Sequence, residues 1–235
     1  MLNNKTELMI QISYLCNLSC IHCAYGDIKN SPVVDLDKVK DFLNRNNPEI
    51  IKISGGEPTL SDIFGDIVKL SKDTGSKVVS FTNGLSNPSI NPDFYWVSVY
   101  GDKKVHNSIT RASTFNKTMK FVSKHPVEYL NSPVFNKKQM KSLIGVSESL
   151  NIPLRITQLL SHGRPHEVLS TKKQIKIIED LHLNNGWNWV TCSLGFEEPR
   201  CKKKACLKPD GTEVLCTYII RGLNCPFMNR RNNYE

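Results

Sequence analysis

The chain has 235 residues, 39 % of them hydrophobic, which is enough for one large domain or for one domain with a small appendage. Its 31 basic and 22 acidic residues leave a net charge of +9, a field that favours anionic partners, yet no stretch interleaves basic residues with aromatics and no nucleic-acid partner is expected. No apolar run approaches the ~20 residues of a membrane span, and the N-terminus shows no signal-peptide core, so a cytoplasmic protein with no membrane partner is expected.

The first 160 residues alternate short apolar runs with amphipathic segments, the pattern of repeated β-α units. Residues 8–14 form the first predicted strand and end at a cysteine-rich loop. A helix follows over 35–46, capped by Asp35, with Leu36, Val39, Phe42 and Leu43 at helical spacing. The second strand, 49–53, runs into Ser54-Gly55-Gly56-Glu57-Pro58, and a second helix covers 60–71. The third strand, 77–82, stops at Asn83-Gly84. Strands over 95–100, 127–130 and 154–159 follow, with helices within 114–123 and over 137–150.

Six such repeats argue for a parallel sheet with helices outside it, closed only in part: a partial (β/α)6 barrel. In folds of this kind the chemistry sits at the C-terminal strand ends. The cysteine loop, the Gly-Gly-Glu-Pro turn and Thr82-Asn83-Gly84 all follow strand ends, so three polar features far apart in sequence converge on one mouth.

Beyond a helix at 171–183 the texture changes. Residues 187–192, 204–207 and 213–219 read as strands, and Pro209-Asp210-Gly211 supplies a tight turn between the last two. This is a small C-terminal β-hairpin module studded with cysteines. The expected organisation is a core at 1–165, a linker helix and cysteine-rich module at 166–228, and a frayed tail at 229–235.

Eight cysteines are many for a chain in a reducing compartment, where clustered thiols usually mean metal or redox chemistry. Three lie at Cys16, Cys20 and Cys23 in a C-x3-C-x2-C spacing, and five lie late, at Cys192, Cys201, Cys206, Cys216 and Cys225. Three thiolates on one short loop can hold three corners of a cuboidal iron–sulfur cluster and leave the fourth iron open. A structural zinc site instead prefers two separated C-x2-C knuckles, which the first loop does not offer.

C-x3-C-x2-C after a first strand, then Gly-Gly-Glu-Pro after a second, resembles the radical S-adenosylmethionine superfamily. Residues 80–84 resemble that family's third strand end, and residues 98–111 its fourth strand and following loop. The resemblance covers residues 8–160 in the right order. It implies a [4Fe-4S] cluster on Cys16, Cys20 and Cys23, whose open iron takes the methionine part of S-adenosylmethionine. Reductive cleavage of that cofactor gives a 5′-deoxyadenosyl radical, which abstracts a hydrogen atom from the substrate. By position, Gly55, Gly56 and Glu57 would meet the cofactor ammonium. Asn83 and Ser98 would meet the ribose or methionine moiety, and Arg111 its carboxylate. His22 stands where the family often has Tyr or Phe.

The late cysteines, with Gly211 between Cys201 and Cys216, resemble the family's twitch or SPASM extension. That implies one auxiliary [4Fe-4S] cluster on Cys201, Cys216 and Cys225, with Cys192 or Cys206 as a fourth ligand; structural zinc is the alternative. The family context implies an electron donor such as flavodoxin or ferredoxin. It also implies a ribosomally made peptide as substrate, presented by a separate leader-recognition protein. Other readings are a small-molecule or nucleotide-derived substrate in cofactor biosynthesis, a glycyl-radical activase, and a non-catalytic iron–sulfur carrier.

Overall fold

The structure, a computed structural model, describes residues 7–26, 28–157, 159, 164, 171–181, 188–190 and 204–214. Among the described residues nine strands form one sheet in the order β7-β6-β5-β4-β3-β2-β1-β8-β9. In chain order these are β1 (Glu7–Gln11), β2 (Ile50–Ser54), β3 (Lys77–Thr82), β4 (Phe94–Ser98), β5 (Val127–Pro133), β6 (Leu154–Thr157), β7 (Asn188–Val190), β8 (Lys204–Leu207) and β9 (Glu213–Val214). All neighbours pair in parallel except β8 with β9.

Six helices accompany them among the described residues: α1 (Leu36–Asn46), α2 (Phe64–Asp73), α3 (Lys103–Thr110), α4 (Phe115–Val122), α5 (Lys137–Leu150) and α6 (Thr171–Asp180). The start of α1 follows from Asp35, whose Oδ1 accepts from the amides of Asp37 (2.8 Å) and Lys38 (3.2 Å). Its end follows from Asn47, in the left-handed region at φ 39°. Between those caps Val39, Phe42 and Leu43 are buried on one face.

Along each strand, alternate residues point to opposite sides. Leu8, Ile10, Ile51 and Ile53 face the helices and share one core with Phe42, Leu43, Ile67, Met140 and Leu143. Each such side chain, fully buried, contributes roughly 1.5–3 kcal/mol. The other side carries Met9, Gln11, Ser54, Phe81, Ser98, Asn131, Arg155 and Thr157, which line a cavity. Helices on one side and a polar hollow on the other thus turn the strand ends toward one mouth.

The loop after β4 and the C-terminal hairpin differ from the sequence expectation. The loop expected after the fourth strand holds α3, started by Asp102, whose Oδ1 accepts from Val105 N at 3.0 Å. The hairpin of β8 and β9 is continuous with the main sheet, because β8 pairs in parallel with β1, Cys206 opposite Met9. With β7 beside β6 and β8 beside β1, the parallel sheet has eight strands where six were expected. The pairing of β1 with β8 sets Met9 beside Cys206, far along the chain, and leaves no mark in local periodicity. Among the described residues the sheet stays open, with β7 and β9 at its edges.

Candidate active site

A cavity of about 370 Å³ opens at the strand ends, a size common for small-molecule sites. Cys16, Cys20, Cys23, Gly55, Gly56, Glu57, Asn83 and Ser98 all line it, together with His22, Tyr25 and Tyr100. Four segments far apart in sequence are therefore brought to one wall.

The cysteine loop is held by its backbone. Cys23 N donates to Cys20 O (3.2 Å), Gly26 N to Cys23 O (3.1 Å), and Ile21 N to Ile109 O at the end of α3 (3.0 Å). Leu18 N points at Cys16 Sγ (3.4 Å), and Asn83 Nδ2 lies 3.9 Å from the same sulfur. Asn83 Nδ2 also donates to Asn17 Oδ1 at 2.8 Å. Asn83 thus ties the end of β3 to the first cysteine.

The glycines of the second turn let it lie against the loop's approach. Gly56 N donates to Ser13 O (2.7 Å) and Glu57 N to Leu15 O (2.8 Å). A Cβ on Gly56 would run into the carbonyl oxygens of Tyr14 and Leu15. Gly55 has φ +148°, and a Cβ there would meet Ser13 O. Only glycine fits either position without moving backbone.

Glu57 is 4 % exposed, and its carboxylate accepts from Thr59 Oγ1 (2.6 Å), Thr82 Oγ1 (2.8 Å) and Asn83 N (2.7 Å). It fastens the ends of β2 and β3 together. Burial pushes its carboxyl pKa up, and the donors pull it back down. Ser98 ends β4 and bonds the hydroxyl of Tyr100, whose pKa burial drives far up. His22 packs edge-on against Tyr100 (4.9 Å) and Phe135 (5.1 Å), an aromatic wall beside the thiols.

Burial also pushes the Cys16 thiol up to about 11 and the Cys20 thiol up to about 12, with crowding by neighbouring sulfurs adding to the rise. Without a cation these thiols stay protonated at pH 7; iron would hold them as thiolates. Among the described residues no three His, Cys, Asp or Glu side chains converge on a point that would hold a single metal ion. A cluster, whose corners are separate irons, asks for thiolates held apart, and the donor set of three soft sulfurs suits it.

Arg111 stands elsewhere. It is exposed at the C-cap of α3, in the left-handed region at φ 58°, and is not among the residues lining the cavity. Cys206 is 2 % exposed on β8, beside Met9. Cys192, Cys201, Cys216 and Cys225 lie outside the described residues, and so does most of the second arm of the hairpin.

Two arginines passed over in the sequence reach this site. Arg164 N donates to Cys23 O (3.2 Å), while its guanidinium donates to Cys20 O and Gly26 O, both at 2.9 Å. It is 8 % exposed and holds the cysteine loop at three carbonyls. Arg155 lines the cavity below the mouth. Nothing local marks either residue: Arg164 lies 144 positions from Cys20.

No family model matches the chain. An AdoMet-dependent heme synthase of Methanosarcina barkeri is 38 % identical over 82 residues, 32 % of this chain and 23 % of that protein. A protein of Methanocaldococcus jannaschii named for glycyl-radical enzyme activation is 24 % identical over 230 residues, 86 % of either chain. The fold of SuiB from Streptococcus suis, solved with the precursor peptide SuiA, matches with a TM-score of 0.74 at 13 % identity, over 94 % of this chain and 61 % of that one. These relatives and structures together support a likeness to the radical S-adenosylmethionine superfamily. It spans less than two thirds of the heme synthase and of SuiB. SuiB has also been solved with S-adenosylmethionine. Among the described residues no helix is long and apolar enough to cross a membrane.

Proposed function

We propose that this protein reductively cleaves S-adenosylmethionine and removes a hydrogen atom from a ribosomally made peptide. The observation that carries this reading is the shared wall: three thiols, a glycine turn that tolerates no Cβ, and two polar strand ends face one open hollow. Cys16, Cys20 and Cys23 would hold a [4Fe-4S] cluster. When reduced and bound to the cofactor, that cluster supplies the electron that yields a 5′-deoxyadenosyl radical.

The chain's own residues do the rest. The Gly55–Gly56 backbone lies open to a cofactor ammonium, with Glu57 fixing the turn from beneath. Asn83 and Ser98 offer polar groups at two neighbouring strand ends. Arg111, if it serves the methionine carboxylate, must do so from the end of α3. His22, Tyr100 and Phe135 form an aromatic wall beside the thiols. The proposed peptide would reach the hollow through its mouth at the strand ends. An electron donor such as flavodoxin or ferredoxin and a separate leader-recognition protein complete the proposed system. The late cysteines Cys201, Cys216 and Cys225, with Cys192 or Cys206, would hold an auxiliary cluster.

Anaerobic reconstitution followed by dithionite-driven cleavage tests this. Release of 5′-deoxyadenosine supports the radical reading. About eight irons per chain would support two clusters, and about four would leave the late cysteines to another role. Iron-loaded protein that releases no 5′-deoxyadenosine would speak for the carrier reading.

A second reading has its own support. The relative named for glycyl-radical activation aligns along 86 % of both chains. Under that reading the substrate is a glycine in a partner protein, and its product is an organic-radical doublet in electron paramagnetic resonance. A stable modification of mass in a short peptide would decide for the first reading.

A further inference from the structure

The hollow of the sheet carries charge below the mouth. Lys52 Nζ meets Glu7 Oε2 at 2.7 Å, and Lys77 Nζ meets Glu128 Oε1 at 2.7 Å. Each lysine therefore has a carboxylate of its own. Among the described residues Arg155 on β6 does not. Its Nη1 donates to Asn131 Oδ1 at 2.6 Å, its guanidinium lies 4.3 Å above the Trp96 ring and 5.4 Å from that of Phe81, and Glu7 acts on it only through space. A guanidinium has five N–H donors in a rigid fork. Among the described residues, one of them is used.

The stack fixes the plane of that fork, and Asn131 fixes its rotation. Such an arrangement costs desolvation without the compensation of a paired anion. Burial accordingly holds the Arg155 pKa down to about 10, and the group remains a cation at pH 7. Arg155 and Asn131 sit at one register level, and both line the cavity that the three thiols line from above. A fork of free donors on an aromatic platform is the usual geometry for bidentate recognition of a carboxylate.

We propose that Arg155, oriented by Asn131 and Trp96, binds a carboxylate of the substrate and so presents a carbon near that carboxylate to the cysteine-loop end of the hollow. The inference rests on the reading of this hollow as the site of hydrogen abstraction. The carboxylate could belong to an acidic side chain or to a free C-terminus; the chemistry at Arg155 is the same.

Three side-chain-deuterated probes on one skeleton separate these cases: N-acetyl-glutamate amide, N-acetyl-glutamine with a free C-terminus, and the neutral N-acetyl-glutamine amide. Two readouts are taken on the iron-loaded protein. Saturation-transfer NMR reports binding, and the deuterium content per 5′-deoxyadenosine released reports hydrogen transfer. A carboxylate probe should bind and label about tenfold or more above the neutral probe, the worth of a charged hydrogen bond. The arm that labels identifies the source. Arg155→Gln should erase the preference, and Arg155→Lys should restore part of it. Asn131→Asp supplies an internal carboxylate to the fork and should also erase it, in a chain whose folding is checked by its melting curve. Equal labelling from the neutral probe, labelling from none while 5′-deoxyadenosine is still released, or a preference retained in Arg155→Gln would overturn the inference. Carboxylate-selective binding without any 5′-deoxyadenosine would leave the Arg155 site standing and sink the radical reading instead.

Discussion

Arg164 and Cys20 are joined across 144 residues by one hydrogen bond, guanidinium to carbonyl, at 2.9 Å. The same side chain spans to Gly26 O, so a single planar fork bridges both ends of the segment that carries the last two cysteines of the loop. A charged donor contributes about 1.5–3 kcal/mol per bond. Arg164→Ala should therefore loosen the loop and lose iron to a chelator at least about tenfold faster than the parent. Arg164→Lys, with charge but no fork, should fall between. Iron content against time in chelator, with the reduced-cluster spectrum alongside, checks this. Equal loss from Arg164→Ala and the parent would show that the backbone bonds of the loop suffice alone.

Gly56 allows no side chain. Its missing Cβ leaves room for the carbonyls of Tyr14 and Leu15, which in turn set where Cys16 begins. In Gly56→Ala the β1 end or the β2 turn has to move. Both are backbone, so relief through a flexible side chain is not available. The expected cost is about 2–4 kcal/mol of stability, together with loss of cofactor cleavage even where iron still loads. Gly145→Ala is the control, because a Cβ there meets nothing within 4 Å and α5 gains helix propensity. A Gly56→Ala protein that melts and cleaves like the parent would show that the cofactor side of the turn has more space than this packing implies.

Cys20 is the middle ligand of the proposed cluster, its thiol pushed up to about 12 by burial. Cys20→Ala leaves two thiols, too few to hold three corners. Loss of the broad iron–sulfur absorption and of all 5′-deoxyadenosine release is expected. Cys206→Ala, by contrast, removes a buried sulfur beside Met9, and should cost about 1 kcal/mol in packing. If Cys206→Ala also removes about four irons, that thiol belongs to a second cluster.

The legible part of the fold was the part governed by local rules. The run 77–82 is β3 to the residue, and 137–150 is α5, because alternation and helical spacing are short-range patterns. The second helix starts later than the spacing over 60–71 predicts: Glu57 caps a 3-10 turn over Pro58–Leu60, and α2 begins only at Phe64. The helix α3 has its signal, Asp102 followed by Val105, His106 and Ile109, within a stretch whose strand-to-loop motif predicts a loop. The site divides in the same way. Cys16, Cys20, Cys23 and the glycine turn announce themselves by spacing, since a cluster and a cofactor need fixed residue types close together. Arg155 and Arg164 do not, because each acts on residues brought near by strand pairing rather than by sequence.

Acid should loosen the site through His106. This ring is 1 % exposed on α3, bonded at Nε2 to Thr114 Oγ1 (3.1 Å) and stacked on Tyr100 (5.5 Å), and Tyr100 in turn packs against His22 of the cysteine loop. Burial lowers its pKa from the ordinary 6.5 to about 4. A histidine depressed in the folded state is protonated more readily when unfolded. Its contribution to stability is therefore full above pH 6.5 and drains away as the pH falls toward 4. The span corresponds to about 3 kcal/mol. Unfolding by urea between pH 7 and pH 4 should show a steeper loss in the parent than in His106→Gln, which cannot take up that proton. The end of α3 also supplies Ile109 O to the Ile21 amide, so iron release on acidification should follow the same pH dependence. Parallel pH profiles for parent and variant would place the acid sensitivity elsewhere in the chain.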